Sequence, residues 1–376
     1  MDAPNGTASG SIPPSPTSQA APSLLIDEHR RLQARWITIA GREIPDHYGD
    51  PVAEHLAVRE CAGAADLSAR GLVRVTGPDR ARYLHSILTN DIVALSPGEG
   101  CYAALLDVKG HLQADMRLFA LDNALLIDLD PALTATTIPA LKRYIVIYKV
   151  KLEEISHELI HLALWGPKCG DWLNALFGQA LPPLPEYHFE TWEWRKTPIQ
   201  VIQWSETGEA GVHLLVPSAI AVPFWKALLE CGQPLGAVPV GARAIDSLRT
   251  EAGVPRFGAE LDATRFPAEA GIEQAVNYSK GCYLGQETTM RIKTQGSVNR
   301  KLVGLLLDGP SLPEPGAPLF ADGQKVGVIT SVLDSPTLKR KIAMGYAQKG
   351  FFVPGTTLTL DGHIRASITP LPFYHR

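Results

Sequence analysis

The chain has 376 residues, is 45% hydrophobic and is nearly balanced in charge, with 35 Lys and Arg against 39 Asp and Glu. That length allows two or three domains with sizeable cores, and a net charge of −4 excludes a bulk attraction to nucleic acid or to an anionic membrane. Five scattered cysteines with no C-x-x-C exclude a disulfide scaffold and a local thiolate cluster for zinc or an iron–sulfur group.

The first stretch, MDAPNGTASGSIPPSPTSQAAP, is Pro, Ser, Ala and Gly with little to bury, so residues 1–24 are expected to form a disordered tail. The first Lys or Arg is Arg30, which argues against a secretory signal or a mitochondrial presequence. No apolar run has the length of a membrane span. The scattered cysteines favour a reducing compartment, and the expected location is cytoplasmic.

LVRVTGPDRARYLHSIL (72–88) reads as an apolar strand, a Gly-Pro turn and a helix with Leu84, Ile87 and Leu88 on one face. ALLIDL (124–129) reads as a strand, 131–143 as a helix, and YIVIYKVKL (144–152) as a further strand-like run. HELIH (157–161) matches the zinc-protease signature, which requires a helix. Here His161, Ala163 and Trp165 alternate with leucines up to a Gly-Pro turn, the pattern of a strand. A strand would hold the two histidines about 13 Å apart, too far to share a metal. LALWGPKCGDWLNALF (162–177) repeats the strand–turn–helix pattern, followed by a strand at 212–217 and a helix at 218–231, so a duplicated α+β unit is predicted. No Gly-rich nucleotide loop or nucleophile elbow occurs.

YSKGCYLGQETTMRIKTQG (278–296) places Cys282 among glycines and cations. From Lys280 to Lys301, five cations stand against the single acid Glu287, a net +4 that would favour a thiolate. Cys282 is therefore a candidate nucleophile, redox group or metal-touching thiol, against the plainer reading of a small residue in a tight turn. From Lys301 onward, short strands with Asp-Gly and Pro-Gly turns predict a small antiparallel barrel. The expected division is a region of two α+β subdomains over 25–298 and a barrel over 299–376.

KGCYLGQE (280–287) resembles the signature of the YgfZ family of folate-binding proteins, which assist iron–sulfur cluster assembly or maintenance. The wider superfamily includes the aminomethyltransferase, or T-protein, of the glycine cleavage system. GAADLSARGLVRVTGPDRARYLHSILTNDI (63–92), SLRTEAGVPRFGAEL (247–261) and KVGVITSVLDSPTLKRKIAMGYA (325–347) resemble further motifs of that superfamily, in order. The resemblance implies a ring of ferredoxin-like subdomains with a C-terminal antiparallel β-barrel. It also implies a central site for tetrahydrofolate or a one-carbon derivative. Tyr102 and Asp115 match residues lining that site, Asp115 standing where T-proteins carry their catalytic aspartate. Glu209 matches a glutamate that holds the pterin, and Arg249 an arginine of the same site. A carboxylate can accept from the pterin edge, a tyrosine suits its aromatic face and an arginine can fork onto a glutamate tail. Cys282 would relay a sulfur, touch an iron or attack the one-carbon unit.

Three departures set the chain apart from T-proteins: Ala114 replaces the first of two acids, CYLG replaces an acid–aromatic–Ile-Gly run, and the loop reads SETGEAG. The resulting expectation is a monomeric, folate-binding accessory factor. Its partners would be iron–sulfur client or assembly proteins, with tRNA-modifying enzymes as further candidates. The alternatives are a tetrahydrofolate-dependent aminomethyltransferase, which a lipoyl carrier protein would stimulate, and an RNA-contacting tRNA-modification factor using the basic 280–301 segment. Deleting residues 1–22 should leave the melting temperature and folate affinity unchanged, because they hold little apolar surface; a clear loss of stability on thermal denaturation would show that they dock.

Overall fold

The structure is a computed structural model that describes residues 23–180, 182–360 and 364–376. The expected tail falls outside the described residues as far as residue 22. The described chain opens with helix α1 (Ile26–Arg31), an antiparallel pair β1 (Arg35–Ile39) and β2 (Arg42–His47), helix α2 (Pro51–Glu60) and β3 (Gly63–Asp66). A first unit then runs β4 (Gly71–Thr76), α3 (Arg80–Ile87), β5 (Gly100–Leu106), β6 (Leu112–Ala120), β7 (Ala124–Leu129), α4 (Pro131–Lys142) and β8 (Lys151–Glu154). A second repeats the plan as β9 (Leu159–Trp165), α5 (Cys169–Phe177), β10 (Phe189–Trp194), β11 (Thr197–Gln203), β12 (Gly211–Pro217), α6 (Ala221–Gly232) and β13 (Val238–Pro239). Helices α7 (Ala242–Glu251) and α8 (Gln286–Gln295) lead into the last strands. These are β14 (Arg300–Asp308), β15 (Pro318–Ala321), β16 (Gln324–Ser335), β17 (Arg340–Gln348), β18 (Thr357–Leu360) and β19 (Ile364–Thr369), closed as an antiparallel barrel in the order β14-β17-β16-β15-β18-β19.

The sheet orders display the duplication. The first sheet is β5-β6-β7-β4-β8, in which β8-β4-β7-β6 is the ferredoxin-like arrangement with β5 added at its edge. The second is β10-β11-β12-β9-β3-β13, where β3 takes the place that β8 has in the first. The two strand–Gly-Pro–helix segments are β4–α3 and β9–α5, at equivalent positions. One face of each sheet packs on its helices: Val73 and Val75 meet Leu84 and Leu133, and Leu162 and Leu164 meet Trp172 and Phe224. The opposite faces meet each other through Leu72, Phe119 and Leu126 on one side and Phe189, Ile202, Trp204 and Leu215 on the other. This inter-sheet layer also buries Asp128, His161 and His213.

HELIH is not helical, in keeping with its alternation: His161 lies on β9 with its side chain buried between the sheets, and His157 precedes the strand. YIVIYKVKL departs from expectation, being a strand only from Lys151, where it pairs with Thr76. Before that point β4 has already turned away at Gly77, so residues 144–150 have no strand to pair with and leave Val146 and Ile147 largely exposed.

A buried ion cluster fastens the barrel to the repeats. Glu251 at the end of α7 accepts Arg59 Nη2 of α2 at 2.8 Å, and Ser335 Oγ and Thr337 N at the end of β16 donate to its other oxygen. Arg59 also reaches Glu209 at 3.2 Å and lies 3.9 Å from the centre of the Tyr374 ring. Burial pushes the Glu251 carboxyl up, but hydrogen bonding from His55, Ser335 and Thr337 outweighs it and holds the group down at about 2. A depressed carboxyl contributes stability that is present above its unfolded pKa and is lost as pH falls toward the folded value. Stability should therefore decline by on the order of 3 kcal/mol between pH 5 and pH 2 through this group. Glu251→Gln should lower the melting temperature at pH 7 and flatten that acid limb; an unchanged pH profile would show that the cluster does not govern stability.

Candidate active site

The site begins with strand register. The pairing of β5 with β6 sets Tyr102 opposite Arg117 and Ala104 opposite Asp115. Alternate residues of a strand share a face, so Asp115 and Arg117 both turn toward the inter-sheet side. Tyr102 donates its hydroxyl to Asp115 Oδ2 at 3.0 Å, and Arg117 Nη1 donates to the same oxygen at 3.1 Å. Asp115 Oδ1 has no hydrogen-bond partner among the described residues. Burial first, and the Asp115 charge second, push the Tyr102 phenol well above its ordinary range, so it stays a donor. Burial opposes the charge on Arg117, but the Asp115 carboxylate outweighs it and raises the guanidinium pKa.

Asp115 lines a solvent-connected cavity between the repeats and α7. The first repeat contributes Arg70, Asp115 and Arg117, the second Trp204 and Glu206. Ile44, Leu67, Ile245 and Phe257 give the cavity an apolar wall, and Arg249 and Arg256 stand at its α7 side. Trp204 is sandwiched: the His213 ring stacks on it at 3.8 Å between centroids, and the Arg117 guanidinium lies 4.7 Å from its ring.

The structure brings some of the expected site residues together and separates others. Asp115 and Arg249 share the cavity wall, and Tyr102 stands behind Asp115. Most donors of Arg249 are engaged, by Asp246 on α7 itself at 2.7 Å, by Glu260 at 2.9 Å and by Ser331 of the barrel at 3.0 Å. Glu209 does not line the cavity; its carboxylate is held by Arg59 and by Arg376 at 2.6 Å. Cys282 is exposed in the turn before α8 and is not on the cavity wall either.

The cations around Cys282 do not act as one field. The Lys280 ammonium donates to the carbonyls of His85, Leu88 and Asn90, capping the end of α3, and burial lowers its pKa to about 8. Lys293 lies over the Tyr278 ring, and Arg300 pairs with Glu269 at 3.0 Å. Gly285 has φ +79° at the start of α8, and a Cβ there would come within 2.6 Å of the Asp107 carbonyl oxygen. That glycine serves the chain's own packing. Arg70, Arg117, Trp204 and Glu206 escape sequence reasoning. For Arg117 a signal exists, since it lies two residues from Asp115 on the same strand face.

Comparison with known proteins follows the same outline. The GCVT N-terminal domain family matches residues 25–280, and the glycine cleavage T-protein C-terminal barrel domain matches residues 300–375. An aminomethyltransferase of Rubrobacter xylanophilus is 34% identical over 357 residues, covering 94% of each chain. One of Chlorobium luteolum is 32% identical over 352 residues, covering 92% of this chain and 96% of the relative. The crystal structure of glycine cleavage system aminomethyltransferase T from Bartonella henselae superposes with a TM-score of 0.86 at 26% identity, covering 94% of this chain and 98% of that one. These likenesses overturn the expectation of an accessory factor for iron–sulfur proteins: the relatives that match almost end to end are aminomethyltransferases. Among the described residues no helix is long and apolar enough to cross a membrane. From its repeats to its barrel, the chain belongs to the glycine cleavage T-protein family.

Proposed function

We propose that the protein is a tetrahydrofolate-dependent aminomethyltransferase that receives a one-carbon unit from an aminomethylated carrier. The observation that carries this reading is Asp115, held by Tyr102 and Arg117 on the wall of a cavity between the repeats in a chain whose relatives are aminomethyltransferases. The cavity's chemistry fits a folate: an apolar slot for a flat ring, carboxylates for its N–H groups and arginines toward one end for an anionic tail. Asp115 would face the reacting amine, the apolar wall would hold the pterin, and Arg249 with Arg256 would face the tail. When bound, tetrahydrofolate supplies the amine that accepts the one-carbon unit.

The protein's part is positional and protolytic. An amine that attacks carbon must shed a proton, and a carboxylate in hydrogen-bond reach can take it. Both hydrogen bonds from the protein converge on Asp115 Oδ2, so Oδ1 is the atom left for that proton. Tyr102 and Arg117 fix the carboxylate's orientation, and the Trp204 ring braces Arg117 from the second repeat. KGCYLGQE, through which the chain resembles YgfZ, supplies packing: Tyr283 joins the buried cluster around Tyr102 and Leu112. Cys282 takes no part in this proton transfer.

The test supplies tetrahydrofolate and an aminomethylated lipoyl carrier protein and measures methylene-tetrahydrofolate and ammonia. Wild type should turn over, and Asp115→Asn should lower kcat on the order of 10²-fold or more while tetrahydrofolate still binds. Absence of turnover by a folded wild type that binds tetrahydrofolate would overturn the reading. Cys282→Ser should keep transfer within about twofold of wild type, since the step needs no thiol; loss of transfer in that variant would return the cysteine to the mechanism.

A further inference from the structure

The transfer step leaves one part of the site unused. Glu206, in the loop after β11, lines the cavity and stands at the end of a buried polar chain. His213 Nε2 lies 2.9 Å from Glu206 Oε2, and His161 Nε2 lies 2.8 Å from His213 Nδ1. His161 Nδ1 in turn lies 3.1 Å from Asp128 Oδ2, an ion-pair contact off the line of a straight hydrogen bond. Arg70 closes the chain, donating Nε to Asp128 Oδ1 at 2.8 Å. The side chains of Asp128, His161 and His213 are at most 1% exposed, and that of Glu206 is 13% exposed.

Resting on the folate reading above, we infer that Glu206, and not Glu209, is the carboxylate that receives the N–H edge of the acceptor's flat ring, with His213, His161 and Asp128 as the positioning residues that hold it charged and aimed. Glu209 has both oxygens occupied, by Arg59 and Arg376, and its side chain is fully buried off the cavity wall. Glu206 accepts only at Oε2; Oε1 has no hydrogen-bond partner among the described residues. A flat heterocycle edge with two adjacent N–H donors is what one carboxylate can accept.

Glu206 is held ionised by the donors and cations around it. Two carboxylates form the ends of the polar chain and can only accept. His213 Nε2 is therefore the donor to Glu206, and His213 Nδ1 faces His161 Nε2. Burial pushes His213 down to about 4, the neighbouring His161 pushes the same way, and the Glu206 carboxylate only partly compensates. His213 is therefore the neutral ring that donates to Glu206. Burial raises the Glu206 carboxyl, but His213, Arg70 and Arg117 outweigh it and keep the group below its ordinary value. Glu186 is a further acid close enough to Glu206 for the two to repel. Trp204, clasped between His213 and Arg117, joins this chain to the one that holds Asp115.

The experiment is tetrahydrofolate binding by calorimetry on the full chain, paired with kinetics of transfer and a melting curve for each variant. Glu206→Gln keeps the size of the side chain and loses its charge. It should raise Kd and KM for tetrahydrofolate at least tenfold with kcat at saturation within threefold. Glu209→Gln should lower the melting temperature and change Kd less than threefold. His213→Leu should raise Kd about as much as Glu206→Gln, and His213→Gln, whose amide can still donate to Glu206, should restore it to within threefold. Wild-type affinity in Glu206→Gln, or an equal loss in Glu209→Gln, overturns the assignment while leaving the folate reading in place. A wild type that binds no tetrahydrofolate sinks the folate reading, and this inference with it.

Discussion

Charge buried between two sheets must be paired, and that constraint organises this molecule. The repeats pack face to face, and the layer between them holds Asp128, Arg70, His161 and His213 alongside its apolar side chains. An ionised carboxylate left alone there would cost several kcal/mol, so Asp128 holds a bidentate arginine and an imidazole and its carboxyl is driven far below the ordinary range despite burial. The same layer reaches the cavity at both ends of its pairing scheme. Arg70 and Glu206 are at once members of the buried chain and parts of the cavity wall. The cavity wall is thus braced by the paired groups packed beneath it.

A second cluster performs the equivalent task for the barrel. Arg59, Glu209, Glu251 and the terminal Arg376 join α2, the second repeat, α7 and the chain's last residues. Arg249 reaches from the cavity wall to Ser331 of the barrel, so the barrel fixes the position of α7 and through it one side of the cavity. Stability and site geometry are therefore coupled through the same side chains.

What could be read from the sequence was what depends on local pattern. The strand–Gly-Pro–helix echo exposed the duplication because each copy buries its helix on its own sheet with residues close in the chain. The barrel was legible in its close-spaced turns, and Asp115 in its motif. The pairs that make the site depend on register and were not legible: His161 and His213 lie 52 residues apart, and only the pairing of β9 with β12 brings them together. Glu206 and Glu209 sit three residues apart in one loop, and only its conformation decides which faces the cavity. The positive composition around Cys282 was visible, but not that Lys280 turns to helix carbonyls and Arg300 to Glu269. The octapeptide that carried the iron–sulfur expectation is a short segment that packs beside the site. The whole-chain likeness to aminomethyltransferases rests on the repeats and barrel together.

If the cavity between the repeats is where the one-carbon acceptor binds, that acceptor meets two carboxylates held from opposite sheets. A crystal structure of the protein soaked with tetrahydrofolate would show this without inference from kinetics. The pterin should lie in that cavity, with Asp115 Oδ1 and Glu206 Oε1 each at hydrogen-bond distance, about 2.7–3.2 Å, from its nitrogens. A pterin bound beside Cys282, or held by Glu209 with Glu206 turned away, would contradict it.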